Sequence, residues 1–277
     1  MSRAGFALVA ATTLSFGFAG VAWAADMSTK ALPYEAPAAA PGWTGFYVGG
    51  DVGGLWMSQD AAWNPLPSPA AFTVLPITGR LDSSQFVGGV YGGYNWQLAP
   101  TWVVGIEGDF SWTGAGESMQ GVWKNFPNGQ PSFPTTLSSL TDKLDSLASV
   151  RGRIGYLVTP NALAYITGGA GWGRFDYSAF ARNTANSYLA STSFSKIQSG
   201  FVLGGGLEWA LTENWLIRGE YLYYGLGGSS VVAAAPAFPT FPSGFLWHNT
   251  SVQEARLGLS YKFDWNVPAA GQYWAHN

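Results

Sequence analysis

Hydrophobic and polar residues alternate along eight segments of this chain, each ten or more residues long. The segments lie at about residues 43–57, 82–97, 101–115, 144–158, 162–177, 196–211, 215–227 and 250–264. Strict alternation is typical of a β-strand whose two faces meet different surroundings. Ordinary strands are about 5–6 residues long, whereas a strand that crosses a membrane needs about 9–11. The pattern therefore predicts eight membrane-spanning strands.

The connections between these segments alternate between short and long. Three are tight turns of turn-forming residues, at 98–100, 159–161 and 212–214. The other four, at about 58–81, 116–143, 178–195 and 228–249, are rich in Pro, Ser, Asn and Gly. Outer-membrane barrels have short periplasmic turns and long extracellular loops. We therefore predict an all-β, eight-stranded antiparallel up-and-down transmembrane β-barrel with both termini in the periplasm.

The two faces of each segment differ in charge. In residues 101–115, Trp102, Ile106 and Phe110 share one face, and Glu107 and Asp109 share the other. An Arg or Lys facing lipid at mid-membrane costs about 2–4 kcal/mol, so the charged face is predicted to line the lumen. The predicted lumen residues are Asp51, Glu107, Asp109, Arg151, Arg153, Glu208, Arg218, Glu220, Glu254, Arg256 and Lys262. Because so narrow an interior just accommodates side chains, we expect a paired charge network there.

Aromatic residues stand near the ends of the predicted strands. Tyr and Trp side chains favour the two membrane–water interfaces, where they form girdles around a barrel. The predicted girdle residues are Trp43, Trp96, Trp102, Trp215 and Tyr261. Glycines recur beside aromatic or branched residues in several segments, and we expect them to make room for larger neighbours inside a narrow barrel.

The composition agrees with a membrane barrel. Charged residues make up 10% of the chain and aromatic residues 16%, against about 25% charged residues in soluble domains. Past residue 24 there is no run of about 20 apolar residues, which a membrane-spanning helix needs. The net charge of −3 without a basic run makes nucleic acid an unsuitable partner. Cysteine is absent, which excludes disulfides and thiolate metal sites.

The N-terminal residues have the features of an export signal. Arg3 precedes an apolar stretch at 4–21, and Ala22 and Ala24 form a small-x-small cleavage site. We therefore expect a signal peptide at 1–24 and an Ala/Pro-rich flexible leader at 25–42. The barrel then covers 43–264, and a C-terminal tail follows at 265–277.

Five stretches carry a resemblance to a known family. They are 42–50 (GWTGFYVGG), 88–96 (GGVYGGYNW), 104–109 (VGIEGD), 151–156 (RGRIGY) and 254–263 (EARLGLSYKF). Residues 43–263 resemble the alphaproteobacterial porin-like family of small outer-membrane β-barrel proteins, which includes surface antigens and some haem-binding members. The resemblance implies an outer-membrane location among lipid and lipopolysaccharide, with barrel assembly machinery and periplasmic chaperones as partners. It also implies that Tyr261 and Phe263 form the insertion signal, although residues 264–277 follow them here.

Candidate chemistry is sparse. The chain has no G-x-G-x-x-G, Walker, G-x-S-x-G or H-E-x-x-H motif. His248 lies near Thr250 and Ser251, as a lipid A-modifying enzyme would require, but no carboxylate partner can be assigned from the sequence. Tyr177, Tyr188 and His248 are the candidates for loop-mediated haem binding. We expect no enzyme activity, no cofactor and no metal site.

These features favour a structural and surface role, in which a charged network plugs the lumen and four loops face the exterior. A small porin that passes ions or small polar solutes is the alternative. Haem binding by the loops and lipid A modification are further alternatives.

Overall fold

The computed structural model describes residues 42–65, 77–123, 136–183, 189–235 and 238–263, which lie in one compact unit, Ala40–Asn277. Its strands are β1 (Gly45–Pro65), β2 (Ile77–Gln97), β3 (Trp102–Trp123), β4 (Thr136–Thr159), β5 (Ala162–Asn183), β6 (Leu189–Ala210), β7 (Trp215–Leu226), β8 (Ser229–Ala235) and β9 (Phe238–Phe263). Among these residues no helix is long and apolar enough to cross a membrane. The predicted signal peptide with Ala22 and Ala24, most of the leader and the tail lie outside the described residues.

The strands form one antiparallel sheet that closes on itself. Each of β1 to β6 pairs with the next strand, β7 pairs with β9, and β9 pairs with β1. The short β8 pairs with β9 alone and continues the line of β7 beyond Gly227 and Gly228. The ring therefore contains eight strands, as the alternation predicted.

The register of the pairs staggers the strands around the ring. Partner by partner, the ladder leads from Tyr47 through Gly93, Glu107, Arg151, Gly169, Val202, Tyr224 and Val252 to Met57. One circuit thus returns to β1 ten residues further along the strand. Such a stagger tilts the strands by about 35–45° and leaves an interior that side chains fill.

The three predicted short turns are confirmed, but the predicted loops are too long. β2 ends at Gln97 and β3 begins at Trp102, while β4 ends at Thr159 and β5 begins at Ala162. At the other end of the barrel, strands occupy much of the segments 58–81, 116–143, 178–195 and 228–249. The pattern failed there because the outward face becomes polar above the membrane, so the contrast between the two faces weakens.

Two rings of aromatic side chains bound the lipid-facing surface. At the short-turn end, the exposed residues are Phe46, Trp96, Trp102, Tyr156, Trp209, Trp215, Tyr261 and Phe263. Nearer the other end, they are Trp56, Phe86, Trp112, Trp172, Phe201 and Tyr223. Exposed aliphatic residues such as Ile106 and Leu257 lie between the rings, as expected for a lipid-facing belt about 25 Å tall.

The prediction that Trp43 belongs to an aromatic girdle is wrong. Its side chain is 2% exposed, and its indole nitrogen donates a hydrogen bond to the carbonyl of Pro160 at 3.1 Å. Trp43 precedes β1, so strand alternation does not govern its direction. It packs with Val103, Leu157 and Leu216 inside the short-turn end of the barrel.

Candidate functional site: the charged layer of the lumen

The interior at membrane level holds a layer of ionisable side chains, which we call the charged layer. It consists of four arginines and six carboxylates, each at most 7% exposed: Asp51, Glu107, Asp109, Arg151, Arg153, Glu208, Arg218, Glu220, Glu254 and Arg256. They point inward because each stands on the strand face opposite the lipid-facing apolar residues. These are ten of the eleven residues for which the alternation predicts a lumen position.

Strand register brings opposite charges together across neighbouring strands. The residues directly opposite one another include Glu107 and Arg151 on β3–β4, Glu208 and Arg218 on β6–β7, and Glu220 and Arg256 on β7–β9. Opposite charges at such positions stabilise a sheet, whereas like charges destabilise it. The sheet therefore specifies part of the charged layer through its backbone pairing alone.

Arg151 lies at the centre of the layer, and none of its side chain is exposed. Its guanidinium reaches Glu107 at 2.5 Å and Glu220 at 3.1 Å, and it lies 3.1 Å from Asp109. Glu220 comes from the far side of the ring, so Arg151 links strands that do not pair. Arg suits this place because its five N–H groups spread in a plane and donate hydrogen bonds to several carboxylates at once.

Glu107 receives donors from three sides. Arg218 Nη1 lies 2.6 Å from Glu107 Oε2, and the hydroxyl of Tyr47 donates to the same oxygen at 2.7 Å. Arg151 binds the other oxygen. A carboxylate buried at this depth would be costly without such partners, so these donors explain how its charge is accommodated.

The guanidinium of Arg256 lies within 4 Å of four carboxylates. Its Nη1 lies 3.5 Å from Asp51, 3.4 Å from Asp109 and 3.6 Å from Glu254, and its Nη2 lies 2.8 Å from Glu220. Three carboxylates thus converge on one guanidinium nitrogen. The layer as a whole contains more carboxylates than arginines.

Two members of the charged layer, Arg153 and Glu208, and the eleventh predicted lumen residue, Lys262, lie nearer the short-turn end. Arg153 binds Glu208 at 2.5 Å and lies 3.5 Å from Glu107. Lys262 is buried, and its ammonium donates to the carbonyl of Gly42. It therefore ties the last strand to the chain just before β1.

Three inward tyrosines, Tyr47, Tyr91 and Tyr165, complete the layer, and the sequence analysis missed them. The guanidinium of Arg218 stands 3.3 Å above the ring centre of Tyr91, and that of Arg153 stands 4.0 Å above Tyr165. The hydroxyl of Tyr165 donates to Glu220 at 3.0 Å. The signal was available, because these tyrosines share strand faces with predicted lumen residues or with the inward glycines of their strands.

Inward glycines give these rings their space. A Cβ at Gly93 would lie 2.6 Å from the hydroxyl oxygen of Tyr47, and one at Gly258 would lie 2.8 Å from that of Tyr91. Any larger residue would displace the tyrosine. This is the role expected of glycine in a narrow barrel.

Apolar side chains fill the interior on both sides of the charged layer. At the short-turn end, the lower apolar cluster is Trp43, Val103, Leu157, Leu163, Ala210 and Leu216. Towards the opposite end, the upper apolar cluster includes Leu55, Val87, Leu147, Val202, Leu222, Tyr224 and Val252. The sequence analysis missed this layering, although Leu222 and Val252 stand on the same faces as the charges two residues away.

The candidates for chemistry do not converge. His248 is exposed at the rim, while Thr250 points inward and accepts a hydrogen bond from Gln59. Ser251 donates to the carbonyl of Ser58 at 3.4 Å, so neither hydroxyl contacts the histidine. Tyr177 is 1% exposed inside the barrel, so the prediction of a haem-ligating surface position is wrong for it. Tyr188 lies outside the described residues.

Two further observations concern the predicted absence of metal and the insertion signal. Within the described part of the chain, no group of three His, Cys, Asp or Glu residues is arranged to hold a metal ion. Tyr261 and Phe263 both point outward at the short-turn end, with their rings 5.1 Å apart. The ring of Phe263 also lies 5.8 Å from that of Phe46.

The closed ring, the aromatic-bounded apolar surface and the charged interior define an integral outer-membrane β-barrel protein. The chain belongs to the family described as outer membrane protein beta-barrel domain, whose family model matches residues 15–263.

Its relatives come from alphaproteobacterial outer membranes. The 31 kDa outer-membrane immunogenic protein of Brucella melitensis is 33% identical over 253 residues, which cover 89% of this chain and 95% of the relative. The 22 kDa outer membrane protein of Rhizobium leguminosarum is 29% identical over 191 residues, covering 68% of this chain and 67% of that protein. Among solved structures, the attachment invasion locus protein Ail of Yersinia pestis aligns with a TM-score of 0.35 and 15% identity, over 79% of this chain and 99% of that one.

Proposed function

We propose that this protein is a structural and surface-display barrel whose lumen is closed to solutes. Its mechanism is anchorage: the lipid-facing belt holds the ring in the outer membrane, and the long hairpins stand outside the cell. The observation that carries the proposal is the filling of the interior at three successive levels, by the lower apolar cluster, the charged layer and the upper apolar cluster.

The charged layer supports closure because its arginines are engaged with carboxylates. The side chains of Arg151, Arg153, Arg218 and Arg256 are at most 2% exposed, and each lies within 4 Å of at least two carboxylates. Charges that line an aqueous pore are exposed to water, so such deep burial argues against a hydrated path. Breaking these pairs to admit an ion would leave buried charges without partners, at a cost of several kcal/mol.

The apolar clusters support closure independently. Leu55, Leu147, Leu163, Val202 and Leu222 are essentially unexposed although they point into the lumen. An ion passing between such side chains would lose its hydration without gaining a polar partner. Two apolar barriers therefore stand in series with the charged layer.

The proposal includes no enzyme activity and no cofactor. Its partners are outer-membrane lipid and lipopolysaccharide around the belt, and barrel assembly machinery and periplasmic chaperones before insertion. The immunogenic designation of the Brucella relatives supports a surface role for this chain as well.

Conductance of the purified, folded protein in planar lipid bilayers tests closure. We expect no stepwise current from the unmodified protein or from Glu254→Gln, because a barrier on either side of residue 254 blocks the path. A porin would instead give regular steps, and Glu254→Gln would then lower cation selectivity by removing a charge from the pore wall. Stable steps from the unmodified protein would refute the closed lumen.

Cysteine labelling on intact cells tests the orientation, since the chain has no cysteine of its own. Ser118→Cys places a thiol at an exposed position on the long-hairpin end, and Thr212→Cys places one in an exposed short turn. A membrane-impermeant maleimide should label the first variant on intact cells and the second only after lysis. The reverse result would show that the short turns, and not the long hairpins, face the outside of the cell.

A further inference from the structure

A β-bulge in β4 reverses which residues face the interior. The pairing of β4 with β5 shifts between Leu144 and Ser146, so Asp145 has no place in the ladder. Below the bulge the buried side chains include Leu147 and Arg151, at odd positions; directly above it they include Leu140, Asp142 and Leu144, at even positions. The bulge therefore turns the side chain of Asp142 into the barrel.

Asp142 lies in the extracellular part of the wall. Its neighbours across the ladder are Glu117 on β3 and Tyr177 on β5. Each stands five residues beyond a tryptophan of the upper aromatic ring, Trp112 on β3 and Trp172 on β5. With about 2.5 Å of height for each residue of a tilted strand, and with a bulge between Trp112 and Ala115 that shortens the rise along β3, Asp142 is about 7–12 Å outside the lipid-facing belt.

Among the side chains that the structure describes, the surroundings of Asp142 are apolar and no cation approaches its carboxylate. Its side chain is fully buried together with Ala115, Leu140, Leu144 and Phe175. Among the described residues, every ion pair of at most 4 Å involves other carboxylates. An ionised carboxylate in such a place keeps its desolvation cost with no Coulomb compensation.

The ionisable groups facing Asp142 add no positive charge. From β3 the group is Glu117, and from β5 it is the phenol of Tyr177, which in turn meets Gln59 of β1 and Gln198 of β6. On β4 itself, Lys143 points outward and binds Asp145 at 2.8 Å. Burial is the main cause that raises the pKa of Asp142 to about 7; backbone hydrogen bonds at Glu117 and Asp142 oppose it, and the charge of Glu117 reinforces it.

Tyr177 connects this position with the rest of the upper barrel. Its ring lies 5.8 Å from Phe175, 5.3 Å from Phe194 of β6 and 4.7 Å from Trp247 of β9. Its hydroxyl oxygen accepts hydrogen bonds from the side-chain amides of Gln59 and Gln198. A disturbance beside Tyr177 therefore reaches strands on the far side of the ring.

We propose that Asp142 is a proton-controlled packing switch of the extracellular half of the barrel. With its carboxyl neutral, in mildly acidic surroundings, β3, β4 and β5 pack tightly around it. When the carboxyl ionises, the buried charge draws water into the upper apolar cluster and the hairpins above the membrane open more often. This switch is independent of whether the lumen conducts.

Hydrogen exchange of the folded protein in detergent micelles at pH 5.5 and 8.5, corrected for the intrinsic rates, tests the switch. Amides of 115–119, 138–144 and 175–179 should open roughly 30-fold more often at pH 8.5, as proton linkage requires for a carboxyl with a pKa of 3.8 when open and about 7 when buried. Amides beside the lower apolar cluster, at Val103, Leu163 and Leu216, should not change. Absence of any difference in the first group would overturn the proposal.

Asp142→Asn should abolish the dependence on pH and keep these amides protected at both values, because the amide is neutral throughout. The matched control is Asp145→Asn, which removes an outward carboxylate three residues away and should leave the 30-fold change intact. Retention of the change in Asp142→Asn would refute the assignment. Should that variant not fold, Glu117→Gln serves instead: it must lower the midpoint pH of the transition, and an unchanged midpoint would refute the assignment too.

Discussion

Two inward-facing regions of this barrel treat buried charge in opposite ways. In the charged layer, at membrane level, Arg151 meets three carboxylates and Glu107 meets three donors. In the extracellular half, Asp142 is equally buried but has only apolar neighbours, a tyrosine and another carboxylate beside it.

The difference follows from the surroundings of each region. At membrane level, lipid covers the outer wall, and a buried charge has no nearby water to turn to; pairing is the only way to keep it ionised. Above the membrane, water surrounds the wall, so local opening can hydrate a carboxylate, and a proton can neutralise it. The comparison teaches that an unpaired acid is tolerated where the fold can exchange protons with solvent.

The largest effect should come from Arg151→Leu. It leaves Glu107, Asp109 and Glu220 short of a partner, and breaking a buried ion pair costs about 3–5 kcal/mol. Urea unfolding in lipid vesicles, followed by the mobility of unheated samples on gels, measures the loss. Arg80→Leu, at an exposed ion pair 3.5 Å from Asp82, should cost under about 1 kcal/mol. Equal losses of stability would show that the ion pairs of the charged layer contribute no more than an exposed ion pair.

Replacing a buried Asp by Asn should change the free energy of unfolding in opposite directions in the two regions. At pH 8, Asp109→Asn should destabilise by about 1–3 kcal/mol, because it weakens the contacts with Arg151 and Arg256. Asp142→Asn should stabilise, by at most about 4 kcal/mol.

The pH dependence of the stability gain provides the control for this pair of substitutions. The pKa of Asp142 is raised from 3.8 to about 7 in the folded state, so the cost of its charge is absent below about pH 4, grows up to pH 7 and is complete above. The gain from Asp142→Asn should therefore vanish at pH 4 in the same unfolding assay. A gain that persists there would assign it to packing instead of charge.

On the outer surface, Leu257→Arg should impair membrane folding more than Val232→Arg. The two side chains are 65% and 61% exposed, but Leu257 faces lipid, whereas Val232 lies on β8, beyond the upper aromatic ring. Arginine at mid-membrane costs about 2–4 kcal/mol, and an exposed substitution in water about 0.5 kcal/mol or less. Folding yield into vesicles distinguishes the two, and similar yields would mean that the belt is misplaced.

The smallest effect should come from Tyr47→Phe. The hydroxyl donates to Glu107 at 2.7 Å and accepts from Arg153 at 3.0 Å, so its removal should cost about 1–2 kcal/mol. Tyr156→Phe, on the lipid-facing side, should be nearly neutral. The difference between their urea midpoints measures the contribution of the hydroxyl, and a neutral Tyr47→Phe would show that the tyrosines are only fillers.

The sequence predicted the eight strands, their short turns and the inward direction of the charges. It could do so because alternation is local: each residue carries its own information about lipid or interior, and the pattern repeats in every segment. Strand ends at the extracellular side were less accessible, since the outward face there meets water and loses its contrast with a partly polar interior.

Other features depend on contacts between distant residues. The side chain of Trp43 points inward because it donates a hydrogen bond to the carbonyl of Pro160 and packs with the other residues of the lower apolar cluster. Nothing in residues 42–50 indicates these contacts. The bulge at Asp145 changes the face of every residue above it, so alternation read across it assigns Asp142 to the wrong side. The hydroxyl of Tyr47 contacts Glu107 and Arg153, and that of Tyr165 contacts Glu220. These hydroxyl partners come from strands that do not adjoin those of the tyrosines.

The amino-acid sequence by itself thus determined the class of fold, the lipid-facing surface and the list of buried charges, since burial follows from the period of each strand. Only the tertiary structure decided which charges pair, how the interior is layered and why Asp142 has no cation beside it among the described side chains. The physical reason is that these depend on register around a closed ring, and register is set by backbone hydrogen bonds between residues far apart in the chain.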